Sequence, residues 1–193
     1  MSGNFTIMDA AVPAVKLIEP KRFGDLRGFF SETYSRAAFL DAGIDLDFVQ
    51  DNHSLSERAG TLRGLHFQIH PFAQDKLIRC TRGRILDIAV DIRRGSPSFG
   101  AHVTVELSKK NWRQVFVPKG FAHGFMALEP SSEVLYKVTA PYSAAHDFGL
   151  AFNDPALGIV WPVVAGGPVL SERDRGHPVL AELPAYFDYA EAR

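Results

Sequence analysis

Through the middle of the chain, apolar and polar residues alternate with a period of two. Residues 85–92 show it most cleanly: Leu86, Ile88, Val90 and Ile92 fall on one side, Asp87, Ala89 and Asp91 on the other. Such alternation reads as a strand with unlike faces. Residues 101–107, 112–117, 121–128 and 132–139 continue the series. Turn-forming clusters separate these segments: Arg94-Gly95-Ser96-Pro97, Lys109-Lys110-Asn111, Pro118-Lys119-Gly120 and Glu129-Pro130. Strands at this spacing, with no helices between them, predict an all-β fold, an antiparallel sandwich or barrel.

The flanking segments are less regular. Residues 14–34 read as strand, glycine-bearing loop, strand. Ser35 is a suitable N-cap for a short helix that runs through Ala42 and is closed by Gly43. The polar run Gln50-Asp51-Asn52-His53-Ser54 is expected to be a surface loop. Residues 61–79 are expected to form a hairpin that bends at Pro71 and returns from Lys76. In its first arm, alternation puts Arg63, Leu65 and Phe67 on one face and Leu62, Gly64, His66 and Gln68 on the other. From residue 141 on, Pro, Gly and Trp predict irregular structure wrapped around the barrel, with a last short helix over 179–192.

Composition narrows the partners. The 193 residues suit one domain with an ample core, and 46% hydrophobic with 22% charged residues are ordinary globular values. A net charge of −1 gives no basic stripe for nucleic acid. The single Cys80 rules out an internal disulfide and lies in an apolar strand pattern, as a small core residue would. The apolar stretch from Ala10 to Val15 is broken by Pro13, and no run nears the ~18 residues of a membrane span, so a cytoplasmic protein is expected.

Two of the seven histidines stand in informative company. His66 has a glycine two positions before it on its face, which leaves room for a ligand, and Lys76 follows on the return arm. His123 sits in Pro118-Lys119-Gly120-Phe121-Ala122-His123, where a turn enters a strand. Pro-x-Gly-x-x-His resembles the second motif of the cupin barrels. Where metal-binding cupins carry His-x-His, this chain has His66-Phe67-Gln68, and Ala127 stands in place of the later asparagine. A divalent metal wants three or four converging ligands, so no metal is expected here.

The likeness extends along the chain. Arg-Gly-Phe-Phe-Ser-Glu (27–32), Gln-Asp-Asn-His-Ser (50–54), Leu-Arg-Gly-Leu-His-Phe-Gln (62–68) and Gln-Asp-Lys-Leu-Ile-Arg (74–79) come in order. Asp-Ile-Ala-Val-Asp-Ile-Arg (87–93), Pro-Lys-Gly-Phe-Ala-His-Gly-Phe (118–125), Tyr-Lys-Val-Thr (136–139), Asn-Asp-Pro (153–155) and Leu-Ser-Glu-Arg-Asp (170–174) follow. Over about residues 14–180 the chain resembles the dTDP-4-dehydrorhamnose 3,5-epimerase family of the cupin superfamily. The resemblance implies an antiparallel jelly-roll barrel, a homodimer, no cofactor and a dTDP-4-keto-6-deoxy-hexose substrate. It makes His66 the base, Tyr136 the proton donor on the opposite ring face, and Lys76 the cation that meets charge on the C4 oxygen. Asp174 takes the place of the carboxylate behind His66, with Asp87 the alternative, which could instead hold Lys76. Arg63 and Arg173 fall at diphosphate positions, Tyr142 at the thymine position, and His123 is a second donor near the same C4 oxygen or the sugar. Arg27, Glu32, Gln50, Asp51, Asn52 and Asp147 match the remaining binding positions, some of them reaching across between subunits. Arg173 stands where the family often has lysine, Asp147 where it has glutamate, and Phe152 where it has tryptophan.

The chemistry fits these residue types. A ketone at C4 acidifies the hydrogens on C3 and C5, and inversion needs a base, a group to hold the enolate oxygen, and an acid on the other ring face. Free histidine with a pKa near ~6.5 suits the first role and tyrosine near ~10 the last. An epimerase acting at C3 or C5 alone remains the second reading, and a non-catalytic cupin-type binding barrel the third.

Overall fold

A computed structural model describes residues 3–190. Strands β1 (Phe5–Asp9) and β2 (Lys16–Pro20) are followed by a ribbon of β3 (Phe23–Asp25) and β4 (Gly28–Phe30), then helix α1 (Arg36–Asp41). The barrel strands are β5 (Gln50–Ser56), β6 (Leu62–Gln68), β7 (Lys76–Arg82), β8 (Arg84–Asp91), β9 (His102–Ser108), β10 (Gln114–Val117), β11 (Phe121–Ala127) and β12 (Ser132–Val138). A short β13 (Asp147–Gly149) and a one-turn helix α2 (Glu172–Arg175) lie in the tail. Two sheets face each other, in the orders β1-β2-β10-β7-β12-β5 and β13-β6-β11-β8-β9, and all strand pairs are antiparallel. This is the expected jelly roll.

Apolar residues fill three layers. Between the sheets lie Ile78, Cys80, Ile85, Ala89, Val115, Phe125 and Val134. Outside the six-stranded sheet, Phe39 of α1 packs with Ile18, Leu77 and Phe116. Ser35 caps α1 by accepting from the Ala38 amide, as expected. Outside the five-stranded sheet, Leu65, Phe67, Ile88 and Val90 are covered by Leu157, Leu183 and Phe187 of the tail. Each such side chain contributes about 1.5–3 kcal/mol when fully buried, so the tail is a wall of the fold rather than an appendage.

That wall sets which way β8 faces. Its apolar face does not point between the sheets but lies under the tail, and the face bearing Asp87 and Ala89 looks inward. Three expectations fail. Residues 61–79 are not a hairpin: β6 and β7 belong to opposite sheets, and residues 69–75 cross from one to the other. The polar run at 50–54 is strand, not loop. It forms the edge of the six-stranded sheet beside β12, where one face meets solvent and the other an aqueous cleft, so neither side selects apolar residues. The helix expected over 179–192 is one 3-10 turn, Leu180–Glu182, followed by irregular chain; residues 191 and 192 lie outside the described residues. Strands β1 and β13 and helix α2 were not foreseen.

Candidate active site

Between the sheets, beyond the apolar layer, opens a cavity of about 380 Å³. Arg63, His66, Lys76, His123, Tyr136, Tyr142, Asp147, Arg173 and Asp174 line it, with Ser54, Phe125 and Ser171. The catalytic residues of the sequence reading therefore share one hollow. His66 and His123 stand on β6 and β11 of one sheet, and Lys76 and Tyr136 on β7 and β12 of the other.

Strict alternation puts Arg63 and His66 on opposite faces, yet both reach the cavity. The reason is a bulge in β6. His66 pairs with His123 but Arg63 pairs with Phe125, so three steps on β6 match two on β11. Gly64 makes this fit. Its φ is +130°, and a Cβ there would lie 2.6 Å from the Gly124 Cα. A Cβ on Gly124 would in turn lie 2.6 Å from the Arg63 carbonyl oxygen. Only two glycines allow these backbones to touch.

Two histidine–aspartate pairs stand side by side. His66 Nε2 donates to Asp174 Oδ1 at 2.5 Å, and His123 Nε2 donates to Asp87 at 2.9 and 3.1 Å. Of the two carboxylates open to His66 on sequence, it is Asp174 that binds it; Asp87 serves His123 and makes no hydrogen bond to Lys76. Burial is the largest single effect and works against the charge of Asp174, but the hydrogen bond and charge of His66, the hydrogen bond from Ser171 and the charge of His177 together outweigh it and hold the carboxyl below its ordinary range. Asp174 is therefore an acceptor at neutral pH, His66 Nε2 carries the proton, and Nδ1 keeps a free lone pair. Helix α2 aims Asp174: Ser171 caps it through the Asp174 amide at 3.1 Å.

Lys76 is 8% exposed and donates from Nζ to the His66 carbonyl at 3.3 Å, bridging the sheets. Burial depresses its pKa to about 8, against the pull of Asp147 and Asp87. On Tyr136, burial pushes the phenol above its ordinary value, so it holds its proton at neutral pH. Arg173 closes one side by donating to the Asp147 carboxylate at 2.7 Å. Tyr142 is 59% exposed at the mouth, beside Arg173.

Five predicted binding residues lie outside this hollow. Gln50 and Asn52 are on β5; Gln50 bonds Asn52 at 2.8 Å and accepts from the Tyr142 amide at 3.2 Å. Asn52 pairs with Tyr136 across the strands, so it shares that inward face. Asp51 points to the other face and binds Lys137 at 2.8 Å. Arg27 sits at the ribbon tip, bonded to Asp25, and Glu32 accepts from Asn4 at 3.0 Å. The sequence reading missed Ser54, Ser171 and His177. His177 lies three residues after Asp174 with its ring 5.5 Å from that of His66. Nothing in its irregular stretch singled it out except that spacing. Among the described residues, His66, Asp174 and His177 are the one group placed to hold a metal ion.

Known proteins match over almost all of the chain. The sequence model described as dTDP-4-dehydrorhamnose 3,5-epimerase matches residues 9–182. A dTDP-4-dehydrorhamnose 3,5-epimerase of Sinorhizobium fredii is 54% identical over 181 residues, 94% of this chain and 92% of that one. A Legionella pneumophila 3,5-epimerase, solved with dTDP-4-keto-L-rhamnose, superposes with a TM-score of 0.91 at 41% identity, covering 96% of this chain and 98% of that one. A Streptomyces bikiniensis 3'-monoepimerase, solved with dTDP-quinovose, gives 0.88 at 32% identity, covering 95% and 94%. On these matches, the jelly roll and its cavity are those of a member of the dTDP-4-dehydrorhamnose 3,5-epimerase family.

Proposed function

We propose that the chain inverts C3 and C5 of dTDP-4-dehydro-6-deoxy-D-glucose by proton abstraction and return, giving dTDP-4-dehydro-L-rhamnose without a cofactor. One observation supports this above the rest: an imidazole with a free nitrogen and a protonated phenol stand on facing sheets of a single cavity, with a buried cation beside them. His66 Nδ1 takes the proton from the carbon next to the ketone. Asp174 holds the ring and balances the imidazolium that forms, a contribution on the order of 10²–10⁴ for such a base. Lys76 meets the negative charge that moves to the C4 oxygen, and His123, fixed by Asp87, donates beside it. Tyr136 returns a proton to the opposite face of the ring.

The diphosphate is assigned to Arg63 and Arg173, whose forked guanidinium groups suit it. Thymine stacks on Tyr142, with Asp147, Gln50 and Asn52 framing the mouth. Arg27 and Glu32 do not line their own cavity, which fits a homodimer in which the β3–β4 ribbon enters the partner's mouth. The higher identity to 3,5-epimerases than to the 3'-monoepimerase favours inversion at both carbons. Incubation with the substrate in deuterated water tests this. Label at C3 and C5 is expected and should vanish in His66→Ala. Label at one carbon would favour a monoepimerase, and none would favour a binding barrel.

A further inference from the structure

His177 has no place in the epimerisation above, yet its setting is specific. Its side chain is only 9% exposed, and its Nε2 has no hydrogen-bond partner. That atom lies 3.6 Å from Asp174 Oδ1, which is itself 2.5 Å from His66 Nε2. One donor atom from each of the three residues lies within 4.8 Å of the other two. The ring occupies the space left by Gly149, where a Cβ would stand 2.3 Å away. An imidazole nitrogen buried without a partner has lost its water for nothing in return, unless something else binds there.

We propose that His66 Nε2, Asp174 Oδ1 and His177 Nε2 form a site for a divalent cation of the Zn2+ class, and that the ion shuts the enzyme off. Two imidazoles and one carboxylate, with a further position open to water, are a common zinc donor set. Tetrahedral zinc with bonds near 2.0–2.1 Å holds its ligand atoms roughly 3.3 Å apart. The His177–Asp174 distance already matches. The His66–Asp174 distance must open by less than about 1 Å and the two imidazoles, within 4.8 Å of each other, must close by up to about 1.5 Å, shifts that fall to the His66 side chain, 31% exposed on the cavity. His66 and Asp174 line the substrate cavity, from which an ion can approach, while His177 also borders a second cleft with Glu172, Gly149 and Tyr186.

On binding, the ion takes the place of the proton on His66 Nε2, which leaves to solvent. The hydrogen bond that orients the ring is lost, and a Lewis acid on Nε2 draws electron density away from Nδ1. The binding half of the proposal stands on geometry alone, whereas the inhibition rests on His66 being the base.

The test begins with chelator-treated protein. Calorimetric addition of ZnCl2 should show one Zn2+ per chain, and MgCl2 none. His177→Gln should weaken zinc binding by more than about tenfold and shift zinc inhibition of epimerisation by the same factor. Co2+ added to the unaltered protein should give the intense visible band of a four- or five-coordinate ion. No zinc binding, a weak octahedral cobalt spectrum, or affinity indifferent to His177→Gln in a variant with native near-ultraviolet dichroism would overturn the site. Stoichiometric zinc that leaves turnover unchanged would overturn the inhibition. Zinc binding in a protein that never epimerises would leave the site standing and remove the proposed function instead.

Discussion

Lys76 holds a charge where water hardly reaches, and the structure shows what that costs. Burial brings its pKa from 10.5 to about 8, so near pH 7 roughly nine in ten molecules keep the cation. The sign follows directly: a lowered pKa means the charge is lost as pH rises through 8, well before a free lysine would lose it. With Lys76 stabilising the enolate, kcat/KM is expected to fall on the basic side with a midpoint near 8. Lys76→Arg should carry that limb out of range, since a guanidinium stays charged, and Lys76→Met should lower kcat by about 10²–10³. Initial rates from about pH 6 to about 10 check this; a profile flat through 8 would remove the lysine from the mechanism. Alternation gave neither its burial nor its position, since a lysine at the start of a strand is ordinarily a surface residue; only the family resemblance pointed it at the C4 oxygen. Cys80 was legible: an apolar pattern on both sides placed it in the core, where burial raises its pKa to about 11.

Among the elements, period-two alternation located most of the barrel strands within a residue or two, because one face of each packs against apolar neighbours. It failed where both faces are polar, as in β5, and in β8 it found the strand but not which face looks between the sheets. It could not reveal that β6 and β7 part company, because sheet membership depends on partners far along the chain. Nor could it show the bulge, which adds one residue to β6 and so brings Arg63 round to the side of His66. Gly64 carries that bulge at a positive φ against the Gly124 backbone. Gly64→Ala is therefore expected to destabilise the fold by more than about 2 kcal/mol, a fall in Tm of roughly 4–8 °C. Thermal unfolding followed by circular dichroism measures it, and an unchanged Tm would mean that the close approach is not needed.

For the whole molecule, the β3–β4 ribbon stands out. Phe23, Leu26, Phe29 and Phe30 are 43%, 108%, 53% and 71% exposed on it, a concentration of apolar surface that a solitary chain would leave wet. With the ribbon seated in a second copy, Phe30→Asp should weaken association by more than about 2 kcal/mol. Sedimentation equilibrium should then find monomers where the unaltered protein is dimeric, with kcat/KM lowered in step. An unaltered protein that sediments as a monomer would end the shared-mouth arrangement. No helix among the described residues is long and apolar enough to cross a membrane. The crossing at 69–75 has a wider bearing. Gln68 anchors one end through the Phe72 and Pro141 carbonyls, and Asp75 the other through Thr139 and the Lys119 amide. Those two anchors pin both ends of the link that joins the strand of the imidazole to the strand of the ammonium. The base and the cation therefore arrive on opposite walls from a single short stretch of chain, and a change in its length would disturb both at once.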